Sequence, residues 1–322
     1  MARLVRVRPG VDPGLRRVRA GKGFRYVDDG GGTASAETRR RIRELVIPPA
    51  WREVWIAADP LAHIQAVGTD EAGRRQYLYH PRWRERRDRS KFTRALALAE
   101  ALPAARARVT VALRRDGLDR ERALATSFRL LDEAAPRVGS ARYLARHGSR
   151  GLTTLQRRDA AVAASVITLS FPAKSGRRAL IELDDADLAT VIAILRAGRP
   201  RARLLWYERG RRQVSLTPAE VNAHIRLLTG AAFTAKDFRT LRGTILAADA
   251  LARIGTVDTA RDRAHAEVLA VRAAAQALGN TPAVARGSYI DPRVFRQYAK
   301  GRLLDRGVSP ETAIRRLLTA AG

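Results

Sequence analysis

The spacing of apolar and polar positions changes character near residue 88. Before that point short alternating runs dominate: Val54 to Ala57, then residues 63–69, then residues 75–80. Period-two alternation bounded by turn residues predicts strands, and Asp70-Glu71-Ala72-Gly73 predicts a hairpin turn between the last two. One helix is predicted over residues 35–46, where Ile42, Leu45 and Val46 form an apolar stripe. Residues 81–90, PRWRERRDRS, are charged and weakly apolar, and read as a linker or as the first turns of an exposed helix.

Beyond residue 90 the spacing is mostly helical. Leu124, Phe128 and Leu131 recur at helical intervals within residues 119–135, and Pro136 follows. Alternation returns within residues 158–183: a run at 166–171, a turn at 172–176 and a return at 179–183 predict a small antiparallel sheet. Residues 184–197 place Leu188, Val191, Ile192 and Leu195 on one helical face. Thr217-Pro218-Ala219-Glu220 is a capping box with proline at the first helical position, and Gly230 ends that helix. Two more helices, over 234–254 and 259–278, stop at Gly255 and Gly279. No internal repeat or low-complexity tract is present. The pattern predicts an α+β chain. Residues 1–88 form a small β-rich N-terminal domain; residues 89–322 form a larger, mainly α-helical domain containing a small antiparallel sheet.

Composition adds a partner to this picture. Hydrophobic residues make up 46%, so the chain folds around a core rather than forming a disordered basic tail. Lys and Arg number 61 against 32 acids, a formal net charge of +29. Such an excess repels itself unless an anion is usually near, which points to nucleic acid first and an anionic membrane surface second. The basic residues are spread along the whole chain, which favours a folded cationic surface over a flexible arm. The absence of cysteine excludes disulfides and thiolate metal sites. No apolar run approaches the roughly 18 residues of a membrane span, and MARLVRVRPG has no long apolar core. The expectation is a soluble cytoplasmic protein with no membrane association.

Four segments carry candidate chemistry. Arg137 opens a basic, glycine-containing loop, RVGSARYLARHGSRGLTTL, which reads as a phosphate contact or as a plain basic loop. Lys174 lies at a hairpin turn, where a lysine is either delivered into a groove or simply solvated. Arg239 lies beside the stripe Phe238, Leu241 and Ile245; it is either held rigidly for bidentate phosphate binding or paired on the surface with Asp237 or Asp249. Asn280 follows a helix end, and Tyr289 stands between Gly287-Ser288 and Ile290-Asp291-Pro292, where it is exposed and repositionable unless it is an ordinary core tyrosine.

Seven stretches in order, GKGFRYVDDGG, IPPAWREVWI, GRRQYLYHPRW, the loop from Arg137, FPAKSGR, FTAKDFRT and GNTPAVARGSYIDP, resemble the type IB DNA topoisomerases, above all their compact bacterial and poxvirus branch. The resemblance covers roughly residues 20–300. It implies the catalytic fold shared with tyrosine recombinases. It puts Arg137, Lys174, Arg239 and Tyr289 on the family's catalytic positions, and Asn280 where poxvirus and eukaryotic members carry a histidine. It further implies that Gln76, Tyr77 and Tyr79 face duplex DNA. The implied activity is relaxation of supercoiled DNA through a 3′-phosphotyrosyl intermediate, by a monomer clamped around DNA, nucleoid-associated, without ATP, metal or small-molecule cofactor. Two alternatives stand beside it. A tyrosine site-specific recombinase usually carries His-x-x-Arg where this chain has Lys236-Asp237-Phe238-Arg239, and has a different N-terminal module. A non-catalytic DNA-binding protein would not need the intact set of Arg137, Lys174, Arg239 and Tyr289.

Overall fold

The computed structural model describes residues 3–319, and its contacts divide the chain into two compact units, Met1–Ser90 and Lys91–Gly322. In the first unit the strands β1 (Gly14–Ala20), β2 (Gly23–Asp28), β3 (Arg52–Ala57), β4 (Ile64–Thr69) and β5 (Arg75–Tyr79) form an antiparallel sheet in the order β2-β1-β3-β4-β5. Helix α1 (Ala36–Glu44) starts where the Ser35 hydroxyl accepts the Thr38 N–H, and it turns Ile42 into a small core with Leu15, Val54, Ile56 and Ala66. Val46 departs from the expected stripe. It lies beyond the helix with φ 48° and is 79% exposed, so Ile42 and Leu45 carry the apolar face.

The β1–β2 hairpin was not signalled by alternation, because its residues are dominated by Arg16, Arg17, Arg19 and Arg25. Packing explains why strands tolerate them. Arg17 donates to the carbonyls of Pro48, Pro49 and Trp51, and its guanidinium lies 4.2 Å from the Phe24 ring centroid.

Residues 81–90 are helical, not a linker: they are the first turns of α2 (Pro81–Leu113), which opens on a proline and runs on through Pro103. Next come α3 (Arg120–Ala134), α4 (Ala141–His147), and the strands β6 (Ala160–Ala163), β7 (Val166–Pro172) and β8 (Arg178–Asp184), which pair in that order as an antiparallel sheet. Then follow α5 (Ala186–Leu195), the hairpin β9 (Trp206–Arg209) and β10 (Arg212–Ser215), and α6 (Pro218–Thr229). The chain closes with α7 (Ala235–Ile254), α8 (Ala260–Ala277), α9 (Pro282–Ser288), α10 (Arg293–Ala299) and α11 (Pro310–Thr319). Helix α11 forms the C-terminal tail; residues 320–322 lie outside the described residues. The architecture is α+β. Among the described residues no helix is long and apolar enough to cross a membrane.

Helix α7 runs through the large core of the second unit. Phe238 meets Phe128 of α3 edge to face, with centroids 5.2 Å apart, while Leu241, Ala247, Ala248 and Leu251 are buried. This anchoring matters because the residue after Phe238 is Arg239.

One buried group makes the fold acid-sensitive. His224 of α6 is buried, and its Nε2 has no hydrogen-bond partner. Burial pushes its pKa from 6.5 down to about 4, against a raising pull from Glu121 and with help from Arg108 and Arg120. The unfolded chain takes up a proton below pH 6.5 while the folded imidazole stays neutral to about 4, so stability is lost as pH falls through that window. Urea unfolding at pH 7 and pH 4.5 should show wild type losing about 2–3 kcal/mol more than His224→Leu. Equal losses would show that this histidine does not couple folding to pH.

Candidate active site

The C-terminal end of α8 organises the site. Gly279 adopts φ 59°, its N–H donates to the Gln276 carbonyl, and the Asn280 N–H donates to the Ala275 carbonyl. This Schellman arrangement leaves the carbonyls of Leu278 and Gly279 free to accept other donors, at the negative end of the helix dipole.

Two arginines use them. Arg239 donates from Nη2 to the Leu278 carbonyl (2.8 Å) and from Nη1 to the Ala135 carbonyl (2.6 Å). Ala135 ends α3 in the left-handed region, with φ 46° and ψ 48°, a conformation an alanine adopts only against strain. Arg137 donates to the Gly279 carbonyl and to Asn280 Oδ1. Its loop is pinned by hydrogen bonds from the Leu152 and Thr153 N–H groups to the carbonyls of Arg137 and Val138. Gly151 permits that close crossing, since a Cβ there would lie 2.4 Å from the Arg137 carbonyl. This accounts for Gly151 of the basic stretch, which is not wholly a loop: Ser140 caps the short helix α4 inside it, and Gly148 ends that helix in the left-handed region with φ 63°.

Among the described residues no carboxylate pairs with either guanidinium. The two acids considered as surface partners for Arg239 are engaged elsewhere, Asp237 with Arg94 and Asp249 with Arg253 and Arg306. Arg239 is only 4% exposed and Asn280 only 5%. Both keep a buried donor without a partner, Arg239 Nε and Asn280 Nδ2. Burying polar hydrogens unpaired is costly, so these donors suit an oxygen-rich ligand.

Tyr289 follows α9 and is half-buried against the core, not freely exposed. Its N–H donates to the Ala285 carbonyl, and its carbonyl accepts the Thr244 hydroxyl. The Arg239 guanidinium lies 4.9 Å from its ring centroid. Burial pushes the phenol's pKa up, but the charge and hydrogen bonding of Arg239, then Arg137 and Lys236, outweigh it, and the net shift is downward from 10. The phenol is thus biased toward the phenolate, the form that attacks.

Lys174 is placed differently. It is exposed in a helical turn, Lys174–Gly176, at the tip of the β7–β8 hairpin, with its ammonium 6.0 Å from the Tyr143 ring. The same tip reaches the site through Arg177, which donates to the Asn280 carbonyl at 3.4 Å. The structure therefore gathers Arg137, Arg239, Asn280 and Tyr289, and leaves Lys174 at the hairpin tip. In the N-terminal unit Tyr77 and Tyr79 stack with centroids 6.0 Å apart, and Tyr77 is 40% exposed. Gln76 belongs to the alternate face of β5 and donates to Asp70, so the three residues do not share one surface. Among the described residues no cluster of three or more His, Asp or Glu side chains could hold a metal ion.

Sequence reasoning missed Gly243. It lies one turn beyond Arg239, and a Cβ there would come 2.8 Å from the Tyr289 carbonyl and 3.1 Å from its Cβ. A glycine inside a helix, four residues after a site arginine, was the available signal. Gly243→Ala should displace the tyrosine and slow any chemistry at it by about 100-fold. DNA binding, measured by gel shift, should stay unchanged; an unimpaired rate would mean that the site does not depend on this contact.

Comparison with known proteins identifies the family. A family model described as "Eukaryotic DNA topoisomerase I, catalytic core" matches residues 80–301, more than half of the chain. A second, "Bacterial DNA topoisomerase IB, N-terminal domain", matches residues 23–70. A DNA topoisomerase 1B from Acanthamoeba polyphaga mimivirus is 28% identical over 289 residues, covering 86% of this chain and 85% of that protein. A helical unit matched by one topoisomerase model and a sheet unit matched by the other leave one conclusion: the chain belongs to the type IB DNA topoisomerases.

Proposed function

We propose that this topoisomerase relaxes supercoiled duplex DNA by breaking one strand with Tyr289, letting the duplex rotate, and resealing it. The observation that carries the residue assignment is the pair of guanidinium groups held by neutral carbonyls beside a tyrosine. Their charge is left for a phosphate.

In the proposed reaction the Tyr289 oxygen attacks phosphorus as its proton leaves to solvent. The bond from phosphorus to the 5′-oxygen breaks, giving a 3′-phosphotyrosyl link and a 5′-hydroxyl. Arg137 and Arg239 neutralise the nonbridging oxygens as charge builds, and Asn280 Nδ2 adds a neutral donor. Lys174 protonates the departing 5′-oxygen, a role open to an ammonium and closed to a guanidinium, with the hairpin tip moving it to the scissile bond. Resealing reverses each step, and the phosphotyrosine link conserves the bond energy, so ATP has no part. The proposed working form is a monomer acting on nucleoid DNA in the cytoplasm. The N-terminal unit, with the Tyr77–Tyr79 face toward DNA, and the C-terminal unit close on the duplex as a clamp.

The test is relaxation of negatively supercoiled plasmid with EDTA and without ATP. Relaxation supports the reading. A chain that binds the plasmid and leaves its superhelicity unchanged would refute it.

A further inference from the structure

We infer that Arg94 of α2 is a positioning residue for strand cleavage, acting through Asp237 on Arg239; the inference rests on the role proposed for Arg239 above. Asp237 is the third residue of α7 and is 3% exposed. Its Oδ2 accepts the Thr234 N–H (2.8 Å), the Thr234 hydroxyl (2.9 Å) and Arg94 Nη2. The first two contacts are a capping box that any helix start can use. The third is a charge partner from a residue 143 positions away.

The energetics explain why the third contact matters. A buried carboxylate stripped of its cation is poorly compensated, and the segment bearing it shifts to regain solvent or donors. Here that segment is the first turn of α7. It carries Lys236, whose charge reaches the Tyr289 phenol, and leads directly into Phe238 and Arg239. Arg239 holds two backbone carbonyls at once, at 2.6 and 2.8 Å, so a small displacement of the turn breaks its registration with the Tyr289 ring. Arg94 itself is half-exposed and touches neither Tyr289 nor Arg239 among the described contacts. It works on the chemistry through the helix it pins.

The test separates positioning from direct DNA contact. Single-turnover cleavage of a labelled duplex is measured at saturating enzyme for wild type, Arg94→Ala and Arg94→Lys, with Kd and its salt dependence measured in parallel. Arg94→Ala should lower the saturating cleavage rate about 30–100-fold with Kd little changed, and Arg94→Lys should restore most of the rate. Weaker binding, with the salt slope reduced by about one and the saturating rate intact, would make Arg94 a phosphate contact and overturn the inference. An unchanged rate and Kd would overturn it as well. Asp237→Asn provides the second arm. It should reproduce the slow cleavage and make a further Arg94→Ala change nearly neutral, whereas additive losses would contradict the link. Wild type serves as the control for the underlying reading: if it forms no covalent adduct, the reading of Tyr289 fails; if it does and Arg94→Ala matches it, only the positioning role fails.

Discussion

Tyr289→Phe is expected to abolish covalent attachment to DNA, lowering strand cleavage by a factor of about 10⁴ or more. Duplex binding should survive. The substitution removes one oxygen and keeps the ring that faces the Arg239 guanidinium at 4.9 Å. It also keeps both backbone anchors, to the Ala285 carbonyl and the Thr244 hydroxyl. A lost phenol hydrogen bond is worth about 0.5–1.5 kcal/mol, too little to unfold the unit or release DNA. Denaturing gels of labelled duplex incubated with wild type and variant read the adduct, and gel shifts read binding. An adduct formed by the phenylalanine variant would show that the nucleophile is elsewhere.

The second large effect concerns Arg239. Arg239→Ala should slow cleavage about 10³-fold at saturating DNA, the upper range for removing one preorganised donor group. Arg239→Lys should recover less than about tenfold of that, because an ammonium cannot hold the Ala135 and Leu278 carbonyls in one rigid fork and still face the tyrosine. The pH profile gives a second, independent signature. Arg239 is the leading influence holding the Tyr289 phenol below its ordinary pKa against the upward push of burial. Without it the phenol titrates higher, less phenolate is present at any given pH, and the rising limb of the rate profile moves to more alkaline pH. Thermal melting must accompany these assays, since two buried carbonyls lose their donor at a cost of about 1–3 kcal/mol. A drop in rate with an unmoved pH limb would leave Arg239 as a phosphate ligand without a role in activating the tyrosine.

What could be read from the chain, and what could not, follows the range of the interactions. The helices begin at local signals, Ser35, Asp119, Thr217, Thr234 and Thr259, each at a helix N-cap in the structure. The β7–β8 hairpin was legible because one face is buried and its turn residues are distinctive. Elements whose stability comes from elsewhere were not. The β1–β2 hairpin is arginine-rich and depends on Arg17 reaching residues more than thirty positions away. Helix α2 was legible only in part, its start standing as one of two readings, because it begins with five arginines in ten residues, with no buried side chain before Phe92 and a proline at 103.

The site shows the same division. Motifs could nominate Arg137, Lys174, Arg239, Asn280 and Tyr289. No local pattern could show that two of the arginines hang on the carbonyl end of α8, across 142 and 39 positions of sequence. Nor could it show that Arg137 turns the Asn280 amide so that Nδ2 is left unpaired. The flanking glycine and proline left Tyr289 open to two readings, exposed or core, because the packing from Gly243 and Thr244 that half-buries it lies more than forty positions away.

The most direct test of the account is to locate the DNA on the protein. Wild-type enzyme is trapped on a duplex whose released strand, the short fragment ending in the 5′-hydroxyl, diffuses away, then digested with nuclease and trypsin. The account predicts a nucleotide-bearing peptide spanning residues 287–293, GSYIDPR, joined through Tyr289 to a 3′-phosphate. A nucleotide on any other residue, or a link to a 5′-phosphate, would contradict it.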